Sequence, residues 1–137
     1  MIQTSSPAKA MILGCLGQRL TADEKAFYRD EQPWGFILFG RNIGEAEQVK
    51  DLVAEMRETV GGRNAPVLID QEGGRVQRMG PPHWPKYPPG NAYLKATNEL
   101  AQARELTRLG ARLMAHDLRE VGVTVDLLPV LDVPVPG

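Results

Sequence analysis

APVLIDQEGGRVQRM, residues 65–79, contains the features that decide the fold and suggest a site. It opens with an apolar run, 65–69, in which polar and apolar residues do not alternate. Such runs are typical of strands that are buried on both faces, as in a parallel sheet covered by helices. The run stops at a polar segment that contains Asp70, Gln71, Glu72, Gly73, Gly74, Arg75 and Arg78. The sequence therefore predicts a buried strand that leads into either a solvated loop or a binding site.

Apolar runs and helical patterns alternate along the rest of the chain. Strand–helix units of about 30 residues favour crossovers between parallel strands. The predicted fold class is α/β with a parallel sheet, either an open doubly wound sheet or part of a (β/α)8 barrel. The predicted strands are 10–17, 34–40, 65–69 and 123–133, and the predicted helices are 21–31, 45–60 and 99–122.

The three helices are recognised by different signals. Helix 21–31 opens with a capping box formed by Thr21 and Glu24. Residues 80–90 contain five prolines, which exclude a helix or a central strand, so an ordered loop is expected there. Helix 45–60 has a single apolar stripe of Val49, Leu52, Val53, Met56 and Val60. In helix 99–122, the residues that are expected to face the core are Leu106, Leu109, Leu113 and Leu118.

Composition excludes several classes of function. The chain has 137 residues, of which 42% are apolar, and 16 basic residues oppose 17 acidic ones. This balance gives no electrostatic reason to expect nucleic acid or a membrane surface as a partner. The single cysteine, Cys15, excludes an internal disulfide and is expected to be buried on a strand. With no signal peptide and no apolar run of about 18 residues, a soluble cytoplasmic protein is expected.

Polar residues follow several of the predicted strands. Ligands bind at the carboxyl ends of the strands in both candidate architectures. The residues that this rule selects are Asp70 and Glu72 after the third strand, Arg41 and Asn42 after the second, and Asp132 late in the fourth.

The residues around the glycine pair leave more than one chemistry open. If the strand continued, Asp70 and Glu72 would project on the same side about 7 Å apart, a spacing that suits a glycosidase carboxylate pair. They could equally bind Mg²⁺ or lie in a solvated loop. Arg75 is expected to pair with Asp70 or Glu72 and stiffen the loop. Dinucleotide and P-loop patterns and metal-ligand spacings are missing, so no cofactor and no metal are expected.

The histidines and aromatic residues are weaker candidates. His83 is expected on a rim in the proline-rich loop, and His116 is expected to be a structural residue beside the inward face of its helix. Trp84 and Tyr87 could stack on a sugar ring, but aromatic residues in such loops usually pack the loop itself.

Three segments carry a resemblance to a known family. GFILFGRN (35–42), LIDQEGGRVQRM (68–79) and LLPVLDV (127–133), in this order and spacing, resemble the N-terminal part of glycoside hydrolase family 3 enzymes. More narrowly, they resemble the bacterial β-N-acetylhexosaminidases that act on cell-wall muropeptides in the cytoplasm. The resemblance extends from about residue 10 to the last residue.

The resemblance implies a (β/α)8 barrel and a retaining mechanism that removes terminal β-linked N-acetylglucosamine. It implies that Asp70 binds hydroxyls of the sugar and that Arg78 also contacts the sugar. The family's nucleophile is an aspartate on a much later strand, and its acid/base is a histidine paired with an aspartate on a mobile loop. Neither His83 nor His116 matches that histidine's motif, so no catalytic residue is assigned to this chain.

By this resemblance, the chain is expected to hold only the first half of such a barrel. Residues 1–137 would form one N-terminal half-domain of four parallel strands and three helices, whereas a full barrel takes about 250 residues. We expect an incomplete enzyme whose 137 residues are inactive alone, because the nucleophile and the acid/base have no counterpart here. The alternative is a fragment that binds sugar without turnover, or that forms a homodimer through its exposed sheet edges.

Overall fold

The protein is built around a four-stranded parallel sheet. The structure is a computed structural model that describes residues 8–132. The sheet consists of β1 (Lys9–Leu13), β2 (Pro33–Leu38), β3 (Val67–Ile69) and β6 (Val125–Asp126), in the spatial order β1-β2-β3-β6. A separate antiparallel hairpin is formed by β4 (Gln71–Gly73) and β5 (Val76–Gln77). The helices are α1 (Ala22–Glu31), α2 (Ala46–Thr59), α3 (Gly90–Lys95) and α4 (Leu100–Glu120).

The two central strands are buried because helices cover the sheet. Phe36 and Leu38 on β2, and Val67 and Ile69 on β3, have no exposed surface. All three strand pairs are parallel. The prediction of a parallel α/β sheet with four strands is therefore confirmed, and the lack of polar alternation in these runs is explained by burial on both faces.

The last strand is shorter than its apolar run. The sequence predicts a strand at 123–133, but β6 contains only Val125 and Asp126, and residues 127–132 have no regular structure. Val133, the final residue of that prediction, lies outside the described residues. Apolar composition alone did not reveal that the chain leaves the sheet directly after Asp126.

The signals that predicted α1 and α2 are confirmed. Thr21 and Glu24 form the capping box: the Thr21 side chain accepts the Glu24 N–H, and the Glu24 side chain accepts the Thr21 N–H. The apolar stripe of α2 is buried along its whole length and ends at Val60. No helix in the described part of the chain is long and apolar enough to cross a bilayer.

The prediction for the inward face of α4 is wrong. Leu106, Leu109 and Leu113 are exposed, and only Leu118 of the predicted set is buried. The buried residues of α4 are Ala103, Gly110, Met114 and Leu118. A rule that follows the bulkiest apolar residues selects the wrong face, because α4 turns Gly110 toward a close neighbour.

That neighbour is α3, a short helix that the sequence did not predict. Its Tyr93 ring lies so close to α4 that a Cβ atom added to Gly110 would be within 2.6 Å of the ring carbon that bears the hydroxyl. The close approach of the two helices therefore requires glycine at position 110. His116 was expected beside the inward face. It is exposed, because a different face of α4 is buried.

The observed orientation of α4 predicts different losses of stability for alanine substitutions at Leu118 and Leu113. Leu118→Ala should destabilise the protein by roughly 2–5 kcal/mol, because it removes a buried side chain from the core. Leu113→Ala should change the free energy of unfolding by no more than about 0.5 kcal/mol, because Leu113 is exposed. Urea denaturation of both variants measures the difference, and equal losses would contradict the observed orientation of α4.

Candidate functional site at the end of strand β3

Asp70 and Arg78 form an ion pair where β3 ends. Asp70 is the first residue after the strand, and Arg78 follows the hairpin. The Arg78 Nη2 atom donates to Asp70 Oδ2 at 2.7 Å. The Arg78 side chain is 32% exposed and the Asp70 side chain is 21% exposed, so the pair is partly buried and still open to a ligand. The structure thus brings together the two residues for which the resemblance implies sugar binding.

The two glycines allow the chain to fold back between these residues. Gly73 and Gly74 have φ angles of 81° and 64°, in the left-handed region that favours glycine. A Cβ atom on Gly73 would lie 2.3 Å from the Pro88 carbonyl oxygen. The Gly74 N–H donates to the Tyr87 carbonyl at 2.8 Å. The hairpin therefore lies directly against the proline-rich loop, and a side chain at either glycine would separate the two.

Gln71 fixes the return of the chain from inside the protein. Its side chain is completely buried, and its Oε1 atom accepts the N–H groups of Arg78 and Met79, both at 3.0 Å. Its Nε2 atom donates to the Met79 carbonyl at 2.7 Å. One amide group thus satisfies three backbone groups at the end of the hairpin. The sequence interpretation missed this role, although a neutral amide between two carboxylates was a signal that could have suggested it.

Asp126 holds the other side of the same segment. Its Oδ1 atom accepts the Gln71 N–H at 3.1 Å. Burial raises the pKa of the Asp126 carboxyl to about 6; the Gln71 N–H opposes this rise, and the nearby Asp70 and Glu72 carboxylates add to it. The sequence interpretation selected Asp132 on this strand and overlooked Asp126.

The structure excludes the same-strand pairing of Asp70 and Glu72, and the expected ion pair of Arg75 is wrong. The strand ends at Ile69, and Glu72 belongs to the separate hairpin, so Asp70 and Glu72 are not successive same-side residues of one strand. Arg75 is exposed at the hairpin turn. Within residues 8–132, neither Glu72 nor Arg75 forms an ion pair, and the partner of Asp70 is Arg78. The loop is held instead by the Gln71 side chain and by the hydrogen bond from the Gly74 N–H to the Tyr87 carbonyl.

Arg41 and Asn42 connect the ends of the first two strands. Asn42 is fully buried, and its Nδ2 atom donates to the carbonyls of Cys15 at 3.2 Å and Gly17 at 2.8 Å. Arg41 donates from Nε to the Cys15 carbonyl at 3.0 Å and lies over the Phe39 ring. These contacts give both residues a structural role. Cys15 is buried as expected, although it lies after β1 and not on it.

The remaining candidates lie on surfaces or within the loop packing. Asp132 is exposed and belongs to no strand. Trp84 and Tyr87 are buried, which confirms that they pack the loop, while His83 is exposed beside a cleft of about 400 Å³ that also contacts Arg78. In the part of the chain that the structure describes, no three His, Cys, Asp or Glu side chains are grouped to bind a metal.

Comparison with known proteins identifies the family. The glycosyl hydrolase family 3 N-terminal domain matches residues 7–135, nearly the whole chain. The chain belongs to this family. It is 40% identical over 118 residues to a protein named beta-hexosaminidase from Methylococcus capsulatus. The matched residues cover 86% of this chain and 34% of that protein.

Solved structures agree with this assignment. NagZ from Neisseria gonorrhoeae superposes with a TM-score of 0.84 at 30% identity, over 92% of this chain and 37% of that protein. A second structure of the same enzyme, in complex with N-trifluoroacetyl-D-glucosamine, gives the same TM-score and identity over 92% of this chain and 36% of that one. The four parallel strands therefore match the N-terminal part of a family 3 barrel domain, and the chain spans about a third of the length of the relatives it matches.

The hydrogen bonds of the buried Gln71 amide predict a loss of stability when that amide is removed. Gln71→Leu should destabilise the protein by about 2–4 kcal/mol, because it leaves the N–H groups of Arg78 and Met79 buried without an acceptor. Gln102→Leu, at an exposed position on α4, is the control and should cost little. Thermal and urea unfolding measure both, and a Gln71→Leu variant as stable as its control would refute this account of the hairpin.

The raised pKa of Asp126 makes a prediction about pH. Because the folded protein holds the proton up to about pH 6 and an unfolded aspartic acid releases it near 4, the folded form binds more protons between these values. The contribution of Asp126 to stability should therefore rise as the pH falls from about 6 to 4. Asp126→Asn should increase the melting temperature at pH 7.5, and the gain should shrink toward zero at pH 4. A difference that does not change with pH would contradict this.

Proposed function

We propose that this family 3 protein binds the terminal N-acetylglucosamine of a β-linked glycan and belongs to a retaining β-N-acetylhexosaminidase. The observation that carries the proposal is the Asp70–Arg78 pair at the carboxyl end of β3. The position suits a ligand site, because ligands bind at this end of the strands in α/β barrels. Relatives named beta-hexosaminidase and a similar enzyme solved with an N-acylated glucosamine support the choice of sugar.

The geometry of the pair suits a sugar with several hydroxyl groups. Arg78 donates to Asp70 Oδ2 and thereby fixes the orientation of the carboxylate. In the described residues, no hydrogen bond occupies Asp70 Oδ1, which leaves it to accept a hydroxyl of the ligand. Arg78 offers further N–H donors on a planar group beside it. A carboxylate that is held in place before binding loses little freedom when the sugar arrives, so its binding energy can serve to orient the anomeric carbon.

Bond cleavage requires residues beyond those assigned here. A retaining mechanism uses a nucleophile that forms a covalent glycosyl-enzyme and an acid/base group that protonates the leaving oxygen. The family resemblance implies that both lie on later strands and loops. We therefore propose that this chain supplies substrate-binding residues, and that its activity depends on the part of the barrel that follows in its longer relatives.

The biological substrate is proposed from the same resemblance. Muropeptides and other glycans that contain N-acetylglucosamine, released during peptidoglycan recycling in the cytoplasm, fit an enzyme of this kind. The nearly neutral charge of the chain gives no support for nucleic acid or a membrane surface as a partner.

A second candidate function is a sugar-binding or self-associating module without turnover. The observation that favours it is the apolar surface at the first edge of the sheet, where Ile12 and Trp34 are 43% and 45% exposed. An uncovered edge strand with apolar neighbours is a template for association. We propose that either the remaining strands of a barrel or a second copy of the chain covers this surface. Sedimentation of the purified protein separates a monomer from a homodimer.

The sugar-binding proposal predicts the effect of removing Asp70. Asp70→Ala should weaken binding of N-acetylglucosamine, measured by titration calorimetry, because it removes a charged hydrogen-bond acceptor worth about 2–3 kcal/mol. In a form that turns over a chromogenic β-N-acetylglucosaminide, the same change should cost about 2–4 kcal/mol in kcat/KM. Turnover of that glycoside also distinguishes the enzyme from the binding module.

Glu72→Gln is the matched control, because it removes a neighbouring carboxylate that belongs to the hairpin and not to the Arg78 pair. It should leave affinity within about threefold of the original protein, a change below 1 kcal/mol. Unchanged binding in Asp70→Ala, or an equal loss in Glu72→Gln, would contradict the assignment of Asp70.

A further inference from the structure

We propose that Asp126 is a positioning residue of the sugar site, because its carboxylate holds the segment that carries both Asp70 and Arg78. This inference rests on the proposed function for its meaning, since it assigns Asp126 a role in sugar binding without contact to the sugar. The family resemblance assigned no role to this residue, and its neighbour in the chain, Leu127, already lies outside the sheet.

The contact between Asp126 and Gln71 lies at the point where β6 stops. Up to Ile69, β3 is held by backbone hydrogen bonds: Leu127 donates its N–H to the Ile69 carbonyl at 2.9 Å, and Ile69 also pairs with Leu38 of β2. Beyond Ile69 the Gln71 N–H is accepted by the Asp126 side chain at 3.1 Å and not by a strand carbonyl. The carboxylate thus takes the place of a backbone acceptor where the strand has ended.

A side chain also accepts a backbone N–H at the opposite end of the same strand pair. There the Val67 N–H is accepted by the Thr124 hydroxyl at 3.1 Å, just before β6 begins. Both ends of the short β3–β6 pair are therefore closed by a side chain of the β6 segment. A buried N–H without an acceptor is unfavourable, so neither contact is incidental to the position of β3.

The same contact also restrains the sugar site. Asp70 lies between Ile69, which the sheet fixes, and Gln71, which Asp126 fixes. The Gln71 side chain in turn accepts the Arg78 N–H at 3.0 Å. One carboxylate therefore restrains the backbone on the far side of Asp70 and, through Gln71, the backbone of its partner. Displacement of Gln71 would move both members of the Asp70–Arg78 pair.

The surroundings of Asp126 do not favour its negative charge. Asp126 is partly buried and faces two like-charged groups, Asp70 and Glu72, with Arg78 engaged by Asp70. An asparagine would offer the same acceptor atom without that repulsion. The hydrogen bond, and not the charge, is therefore the feature that positions the site, and the two can be separated by substitution.

The test compares four variants of the full chain by amide hydrogen exchange and by calorimetric titration with N-acetylglucosamine. Asp126→Ala removes the acceptor and should accelerate exchange of the Gln71 and Arg78 amides at least tenfold, with at least a tenfold loss of affinity. Asp126→Asn keeps the acceptor and should stay within about threefold of the original protein in both measurements. Asp126→Glu keeps the charge but displaces the acceptor, and should lose affinity as the alanine variant does. Asp30→Ala, an exposed carboxylate on α1, is the control and should change neither.

Several outcomes would overturn the proposal. Unchanged Gln71 exchange and affinity in Asp126→Ala would show that the contact positions nothing. An equal rise in exchange throughout the core, including Val53 of α2, would show general destabilisation and not local positioning. Failure of asparagine to preserve both measurements would place the role in the charge. If the original protein does not bind the sugar, the proposed function fails, and the exchange of Gln71 alone then decides whether Asp126 fixes this segment.

Discussion

The buried amide of Gln71 is the contact on which the rest of the site depends. A chain that leaves a fully buried strand and returns through a hairpin must satisfy the backbone groups that it leaves inside, and Gln71 satisfies three of them with one side chain. Its own N–H is satisfied by Asp126. Because these backbone groups are satisfied, the hairpin can lie against the proline-rich loop and return Arg78 to Asp70.

The position of the pair follows from the sheet. Parallel strands place their carboxyl ends on one edge, and β3 lies between β2 and β6 with both faces covered. A rigid strand delivers Asp70 to that edge, and the hairpin delivers Arg78 to the same place. The ion pair has modest value for stability at its level of exposure, so its main consequence is a carboxylate with a defined orientation.

The sequence predicted those features that depend on local patterns. Apolar runs without alternation identified the strands, the Thr21–Glu24 capping box identified the start of α1, and the spacing of apolar residues identified the buried face of α2. Asp70 was selected because of its place after a strand, and the family resemblance added Arg78. These inferences needed no knowledge of which elements touch.

The errors have one physical cause: they concern contacts that are decided by the path of the chain in three dimensions. The buried face of α4 depends on the approach of α3 at Gly110, the partner of Asp70 depends on the path of the hairpin, and the role of Asp126 depends on where β6 stops. Periodicity within α4 favoured its leucines, and proximity along the chain favoured Arg75. No local pattern contains the information that corrects them.

The central claim is that Asp70 and Arg78 hold the sugar, and a crystal structure of the protein with N-acetylglucosamine tests it most directly. The account predicts that a sugar hydroxyl donates to the Asp70 carboxylate within hydrogen-bond distance, with the Arg78 guanidinium contacting the same ring and the Gln71 side chain unmoved. A sugar bound elsewhere, for example in the cleft beside His83 and Trp84 without contact to Asp70, would contradict it.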